Sequence, residues 1–378
     1  MRKNIALFCD GTWQHLGQPT PTNVASLAHS VTPAEKATGC PQVVFYDDGV
    51  GVAEGVLPEA TSLLGGGMGE GLDAKIAQAY QFLCLNYVPG DRIFIFGFSR
   101  GAYTARSVGG LLRKCWILRR DQVGFIDEAM GHYRSGELDN PALVKFKQDH
   151  CYPAQPFCDP RDPSPVVAAE GIDPAAYAHV QYVGVWDTVG SLGIPNALPF
   201  HNEVNAKYRF HDESLSRFVV SARHAVSIDE RRSTFSPTLW DNIADLNKNA
   251  GADRLTLDKR PYQQVWFPGG HSGVGGGCDD GGLSKGPLIW IAEGAARAGL
   301  EWSDEALTVF AKAANALAPF GEEPWSISKE IIALMGEADR AGPQNAEDIS
   351  DAARSRWNDA GLKYRPPPIA RFAKDLDR

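Results

Sequence analysis

Apolar residues in the first 115 positions fall into short continuous runs separated by stretches with helical spacing. Ile5–Cys9 (IALFC) reads as a buried strand closed by Asp10-Gly11-Thr12, and Val43–Tyr46 as a second, closed by Asp47-Asp48-Gly49. Gly69–Tyr87 carries apolar positions at helical intervals until Pro89-Gly90 stops it. Arg92–Phe98 (RIFIFGF) is the strongest strand in the chain. It leads into a helix over Ala102–Leu112 whose small residues allow close packing on a sheet. Strands separated by helices predict parallel pairing with both faces covered.

Between about 118 and 178 the pattern loosens and prolines gather, which predicts an insertion or cap. The core pattern returns with a strand at Val180–Trp186, a helix over Ser214–Ile228 and a strand at Gln263–Phe267. Residues 288–340 read as helical. The expected organisation is a core over 1–290 and a helical C-terminal extension over 291–378 packed on it. No repeat or low-complexity tract interrupts this.

Gly97-Phe98-Ser99-Arg100-Gly101 matches G-x-S-x-G, and its position decides its meaning. It joins the best strand to a helix, where a nucleophile elbow of the α/β-hydrolase type must lie. The glycines allow a sharp turn, and the helix N-terminus favours negative charge developing near the serine. A serine hydroxyl needs a histidine base and a carboxylate to orient it, in the chain order Ser, acid, His. Asp187 ends one later strand and His271 follows another, in that order. Asp229, Asp279 and Asp280 remain alternatives for the acid. His224, inside the helix expected over Ser214–Ile228, reads as structural. The N–H groups of Arg100 and of the Gly11–Thr12 loop are the expected oxyanion donors. Trp13, Phe98, Tyr103, Trp186 and Trp266 lie near these motifs and suit an apolar acyl group.

The remaining composition narrows the field. A net charge of -9, with no Lys/Arg run, argues against a nucleic-acid partner. No stretch reaches the roughly 20 apolar residues that span a bilayer, and the N-terminal apolar run is too short for a signal peptide. Seven scattered cysteines without a CxxC pair predict reduced thiols and a cytoplasmic-type compartment. His150, Cys151 and Cys158 form at most half a zinc site. The glycine clusters miss the dinucleotide and P-loop spacings, so neither of those cofactors is expected, and the Ser–Asp–His reading requires no cofactor or metal.

The set FCDGTW, YDDGVG, GFSRGAYTAR, GVWDTVG, RHAVSIDERR and WFPGGHSGVGGG resembles an α/β-hydrolase domain family of bacteria and fungi, typified by type VI secretion phospholipase effectors. The resemblance implies a mostly parallel sheet and a Ser–Asp–His triad acting on acyl esters, in some members those of phospholipids. Ser99, Asp187 and His271 match the family's serine, Trp-Asp-Thr and His-Ser blocks. Gly273 stands where the family block has an aspartate, and Gly270 where it has a small apolar residue. The expected partner is a small-molecule or lipid ester met in solution or at a membrane surface. Two other expectations stand beside it. One is a binding protein that keeps the fold, motivated by Gly273; the other is an ion-dependent hydrolase using Asp10, Asp47, Asp48 or the Asp279-Asp280 pair.

Overall fold

The computed structural model describes residues 2–12, 14–33, 36, 39–49, 67–135, 140–152, 180–190, 214–279, 281–321 and 336–377. Six parallel strands form one sheet in the order β2-β1-β3-β4-β5-β6. They are β1 (Asn4–Cys9), β2 (Gln42–Asp47), β3 (Arg92–Phe98), β4 (Val180–Trp186), β5 (Val219–Ser227) and β6 (Tyr262–Phe267). Alternate residues serve opposite faces, as the pleat requires. Ile5, Leu7, Ile93 and Ile95 pack with α2 (Gly67–Asn86) and α3 (Arg100–Cys115). Ala6, Phe8, Phe94 and Phe96 pack on the other side with α1 (Asn23–Ser30) and with Ile291, Ala292 and Ala295 of the helix Lys285–Arg297. Phe8 and Phe96 stack there with ring centroids 4.6 Å apart. Burial on both faces is why these strands read as unbroken apolar runs.

The helix expected over Ser214–Ile228 is instead strand β5. Its core residues divide between faces: Val219 and Ala222 join the α3 side, and Ala225 the other. A short apolar run buried on two faces cannot be told from a buried helix by periodicity, and its β-branched valines decide for the strand. The first part of the expected insertion is a pair of helices, α4 (Ile126–Arg134) and α5 (Pro141–His150). Ala129, Met130, Leu143 and Phe146 extend the α3-side core. The excursion closes where Tyr152 N–H donates to Ile117 O at 2.9 Å. The rest of it, 153–179, lies outside the described residues, as does Cys158.

Helix Lys285–Arg297 runs across the boundary expected at residue 290 and covers the sheet. Beyond it, Asp304–Ala313 and Asp351–Asn358 are helical, whereas 336–345 is not. Ile349, Ala353, Trp357, Tyr364, Ile369 and Leu376 form a third core with Val226, Ile228 and Trp266. The C-terminal segment is thus seated on β5 and β6. Strand register brings the loops that carry the candidate residues together. Cys9 is level with Gly97, Phe98 with Trp186, Trp186 with Ala225, and Ser227 with Phe267. Residues 10–12, 99, 187, 228–230 and 268–271 therefore share the carboxyl edge of the sheet. The strand order reverses between β1 and β3, which is where parallel sheets open a binding crevice.

Candidate active site

Ser99 caps α3 with φ 59 and ψ −121, and its hydroxyl makes no capping hydrogen bond to the helix. A serine at this position ordinarily bonds the N–H groups of the first turn. Here the left-handed backbone turns the side chain away from that task, at a cost of about 1–3 kcal/mol. The flanking glycines make the turn sterically feasible. A Cβ on Gly97 would overlap the carbonyl of Gly101, and one on Gly101 would overlap the carbonyls of Cys9 and Asp10. Ser99 N–H donates to Trp186 O at 3.1 Å, tying this turn to the end of β4.

Asp187 is the next residue on β4's edge and also has positive φ, 38. Two of the four non-glycine residues with positive φ among those described are thus at this site. Asp187 is fully buried, and its Oδ2 lies 2.6 Å from His271 Nδ1. Its Oδ1 accepts from Ser227 N–H at 2.9 Å. Arg340 completes the shell with a two-pronged pair, Nη1 to Oδ1 at 2.6 Å and Nη2 to Oδ2 at 2.9 Å. Burial pushes the Asp187 carboxyl up, but the Arg340 guanidinium and the bond to His271 outweigh it and hold it well below the usual carboxylate range. The acid is therefore an anion at any working pH.

His271 opens the short helix His271–Gly275 after β6, and is buried between two rings. The Phe98 centroid is 4.6 Å from the imidazole and that of Phe235 is 4.9 Å away. With Nδ1 committed to Asp187, Nε2 is buried with no hydrogen-bond partner among the described residues. A buried ring nitrogen without a partner is rare in a finished fold. Glu230 steadies the same turn: its Oε2 accepts from His271 N–H at 3.2 Å while Arg232 Nη2 pairs with it at 2.7 Å. Gly273 has room for a side chain, since a Cβ there would meet only Leu283 at 3.7 Å.

The other candidates fall elsewhere. Asp229 Oδ2 accepts from Gly269 N–H at 2.7 Å and the Tyr364 hydroxyl at 2.8 Å, not from His271; burial raises its pKa to about 6. Asp279 is exposed, and Asp280 lies outside the described residues. His224 is not helical but sits in β5, where its Nδ1 is 3.0 Å from Gln264 Oε1 and its Nε2 accepts from Thr188 N–H at 3.2 Å. It buttresses the residue after Asp187. Burial, then the nearby Arg106 charge, lowers its pKa to about 3.

In the loop after β1, Asp10 Oδ1 accepts from Gly11 N–H at 2.7 Å, so that amide faces the carboxylate rather than a substrate. The Thr22 and Tyr46 hydroxyls each donate to Oδ2 at 2.6 Å, and burial raises the Asp10 pKa to about 6. Asp10 is the knot of the loop. Gly11 contributes closeness: a Cβ there would stand 3.4 Å from Ser99 Cβ and 3.2 Å from the Phe98 ring. Thr12 is buried, and its hydroxyl has no partner among the described residues. Asp47 pairs with Lys75 at 2.5 Å. Among the described residues no group of three His, Cys, Asp or Glu is arranged to hold a metal ion. His150 stacks on Phe125 and lies 2.8 Å from Gln122 Oε1, while Cys151 is buried against the Cys115 carbonyl. Of the aromatic candidates, Phe98, Trp186 and Trp266 are core; Trp13 lies outside the described residues.

Sequence reasoning missed Arg340, Glu230 and the Thr22 and Tyr46 hydroxyls that hold Asp10 in the Gly11 loop. No motif marks Arg340, which stands 153 residues from the aspartate it grips.

Comparison with known proteins follows this geometry. Uncharacterized protein YEL023C of Saccharomyces cerevisiae is 28% identical over 244 residues, 62% of this chain and 32% of that protein. The chain therefore spans about a third of that relative's length. A solved structure of the Tle1 effector bound to the VgrG spike from the Type 6 secretion system is matched over 73% of this chain and 51% of its own. Its identity is 16% and its TM-score 0.39. An uncharacterized protein from Pseudomonas aeruginosa is matched over 93% of this chain and 50% of its own, again at 16% identity, with TM-score 0.42. Residues 3–294 match the family described as the T6SS phospholipase effector Tle1-like catalytic domain, and the chain belongs to that family.

Proposed function

We propose that this protein is a serine hydrolase that cleaves carboxylic esters of lipids, phospholipids among them, through an acyl-enzyme. The observation that carries the reading is the buried His271, held through Nδ1 by an anionic Asp187 with Nε2 left unpartnered, at the same sheet edge as the strained Ser99. Family membership supplies the lipid class.

In this reading Ser99 Oγ attacks the ester carbonyl carbon while its proton passes to His271 Nε2. Asp187 keeps the imidazole in the tautomer with its proton on Nδ1 and balances the imidazolium that forms. The carbonyl oxygen becomes an oxyanion facing the amides of Arg100, at the start of α3, and Thr12. The Gly11 amide, already bonded to Asp10, holds the loop in shape. As the tetrahedral centre collapses, the bond to the alcohol oxygen breaks and that oxygen takes the proton from Nε2. Water then enters by the same path and releases the acid. None of these steps calls on a cofactor.

The test is hydrolysis of p-nitrophenyl esters of graded chain length and of phosphatidylglycerol or phosphatidylcholine vesicles, comparing wild type with Ser99→Ala. Loss of at least about a thousandfold in the variant, with the fold intact, is expected when a nucleophile is removed. Equal rates in the two proteins would overturn the nucleophile. Absence of turnover on every ester, with no labelling of Ser99 by a fluorophosphonate, would favour a binding protein on a hydrolase fold.

A further inference from the structure

Arg340 stands outside the family's matched residues, which end at 294, yet both its Nη atoms bond the carboxylate that holds His271. We propose that Arg340 is a positioning residue of the ester-cleaving site, fixing the plane of the Asp187 carboxylate and sharing its charge, so that the segment from 336 onward belongs to the working unit. This rests on the reading of Ser99, Asp187 and His271 given above.

The guanidinium is itself built in. Nη1 also donates to Ser227 O at 2.8 Å and Nη2 to Phe235 O at 2.7 Å, so the fork is aimed by backbone carbonyls on either side of the turn. The chain that carries it is strapped to 231–233: Ser233 N–H donates to Gly336 O at 3.1 Å and Ala338 N–H to Arg231 O at 2.8 Å. Arg232 and Glu337 form an antiparallel bridge there, and Arg231 reaches Glu337 and Asp339 at 3.4 and 3.2 Å. These exposed ion pairs add little energy; the backbone bonds set the register of the strap.

The geometry has an electrical consequence. A carboxylate that faces a histidine alone gives its full charge to the imidazolium; one shared with a guanidinium gives less. The other charged groups around His271 are accounted for. Glu230 is paired with Arg232. Asp229 is bonded to Gly269 N–H and Tyr364. Arg106, beyond the neutral His224, bonds Thr238 O and lies over Trp240. Removing Arg340 therefore leaves Asp187 as a buried anion whose remaining counter-charge is a protonated His271. The histidine should then hold its proton to higher pH, and the acid limb of kcat/KM should move up with it. An arginine acting only as structural glue would lower stability and leave both unmoved.

The experiment compares wild type, Arg340→Gln and Arg340→Lys as full chains. The imidazole signal of His271 is followed by NMR across pH, which requires no turnover. The pH profile of p-nitrophenyl ester hydrolysis is measured in parallel. In Arg340→Gln the imidazole midpoint should rise by roughly one pH unit, and the acid limb with it. Arg340→Lys keeps the charge but loses the fork, so its midpoint should stay within a few tenths of wild type while kcat falls roughly tenfold at similar KM. A midpoint unchanged in Arg340→Gln would overturn the proposal. Should that variant not fold, a lysine variant with wild-type kcat would overturn it instead. Failure of the function itself shows separately, as absent ester hydrolysis in the wild type alongside an intact NMR titration.

Discussion

His224 offers a test of the packing around Asp187 that does not depend on turnover. In the fold its pKa is lowered to about 3 from the ordinary 6.5, first by burial and then by Arg106. The folded state therefore binds fewer protons than the unfolded chain between those values. Stability from this residue is complete above about pH 6.5 and is lost as pH falls toward 3. With these two values, the loss between pH 8 and pH 5 comes to about 2 kcal/mol, and about 3 kcal/mol by pH 4. His224→Gln removes the titrating group while retaining an amide that can accept from Thr188 N–H. Its stability at pH 8 should drop by about 1–3 kcal/mol, because Gln264 loses its imidazole partner. Between pH 8 and pH 5, however, the variant should lose about 2 kcal/mol less than wild type. Urea unfolding at both pH values reads the difference directly, and the other histidines cancel because both proteins carry them. Equal losses in the two proteins would refute the argument, since His224 would then be titrating in the fold as it does in water.

Two further perturbations probe the supports of the site. Gly101→Ala would drive a methyl into the Cys9 and Asp10 carbonyls, so we expect a loss above about 3 kcal/mol or no folded protein; Gly109→Ala, in the same helix with open space around it, should instead gain about 0.5–1 kcal/mol, and thermal melts compare the pair. Glu230→Gln leaves Arg232 without its carboxylate and should cost about 1–3 kcal/mol at neutral pH. The Arg232 contacts outweigh burial and hold the wild-type Glu230 carboxyl below its usual range, so the gap should close as acid protonates it; a gap that persists in acid would mean the charge is not what Glu230 contributes.

The sheet was legible wherever a strand carried its own signal. IALFC and RIFIFGF are apolar because both faces are covered, and G-x-S-x-G marked the sharp strand–helix turn because only glycine fits against the neighbouring carbonyls. The stretch around His224 was misread because its valines and alanines satisfy a helical period as well as a strand's. The bond of the Gly11 amide to Asp10 was not legible for a different reason. Which way a turn amide points depends on Asp10, and what holds Asp10 comes from Thr22 and Tyr46, on other elements. Arg340 was invisible in principle. An arginine in an irregular segment looks like any surface arginine until the fold shows which carboxylate it meets. What a chain displays locally is propensity and spacing; what closes a buried charge is long-range, and no local pattern records it.

Strand β6 lies at the outer edge of the sheet, where backbone groups would otherwise await a partner. Ser350 N–H donates to Trp266 O at 3.0 Å, Ile349 bridges Trp266 in parallel, and the helix Asp351–Asn358 begins at once. This short graft of chain blocks further strand addition at that end. A shortened version stopping at residue 294 would bare the edge together with the apolar Val226–Trp266 surface that the C-terminal core now covers. Open edges beside apolar surface recruit other chains. Cutting at the limit of family similarity should therefore yield aggregates, and the last segment acts as the sheet's guard against self-association.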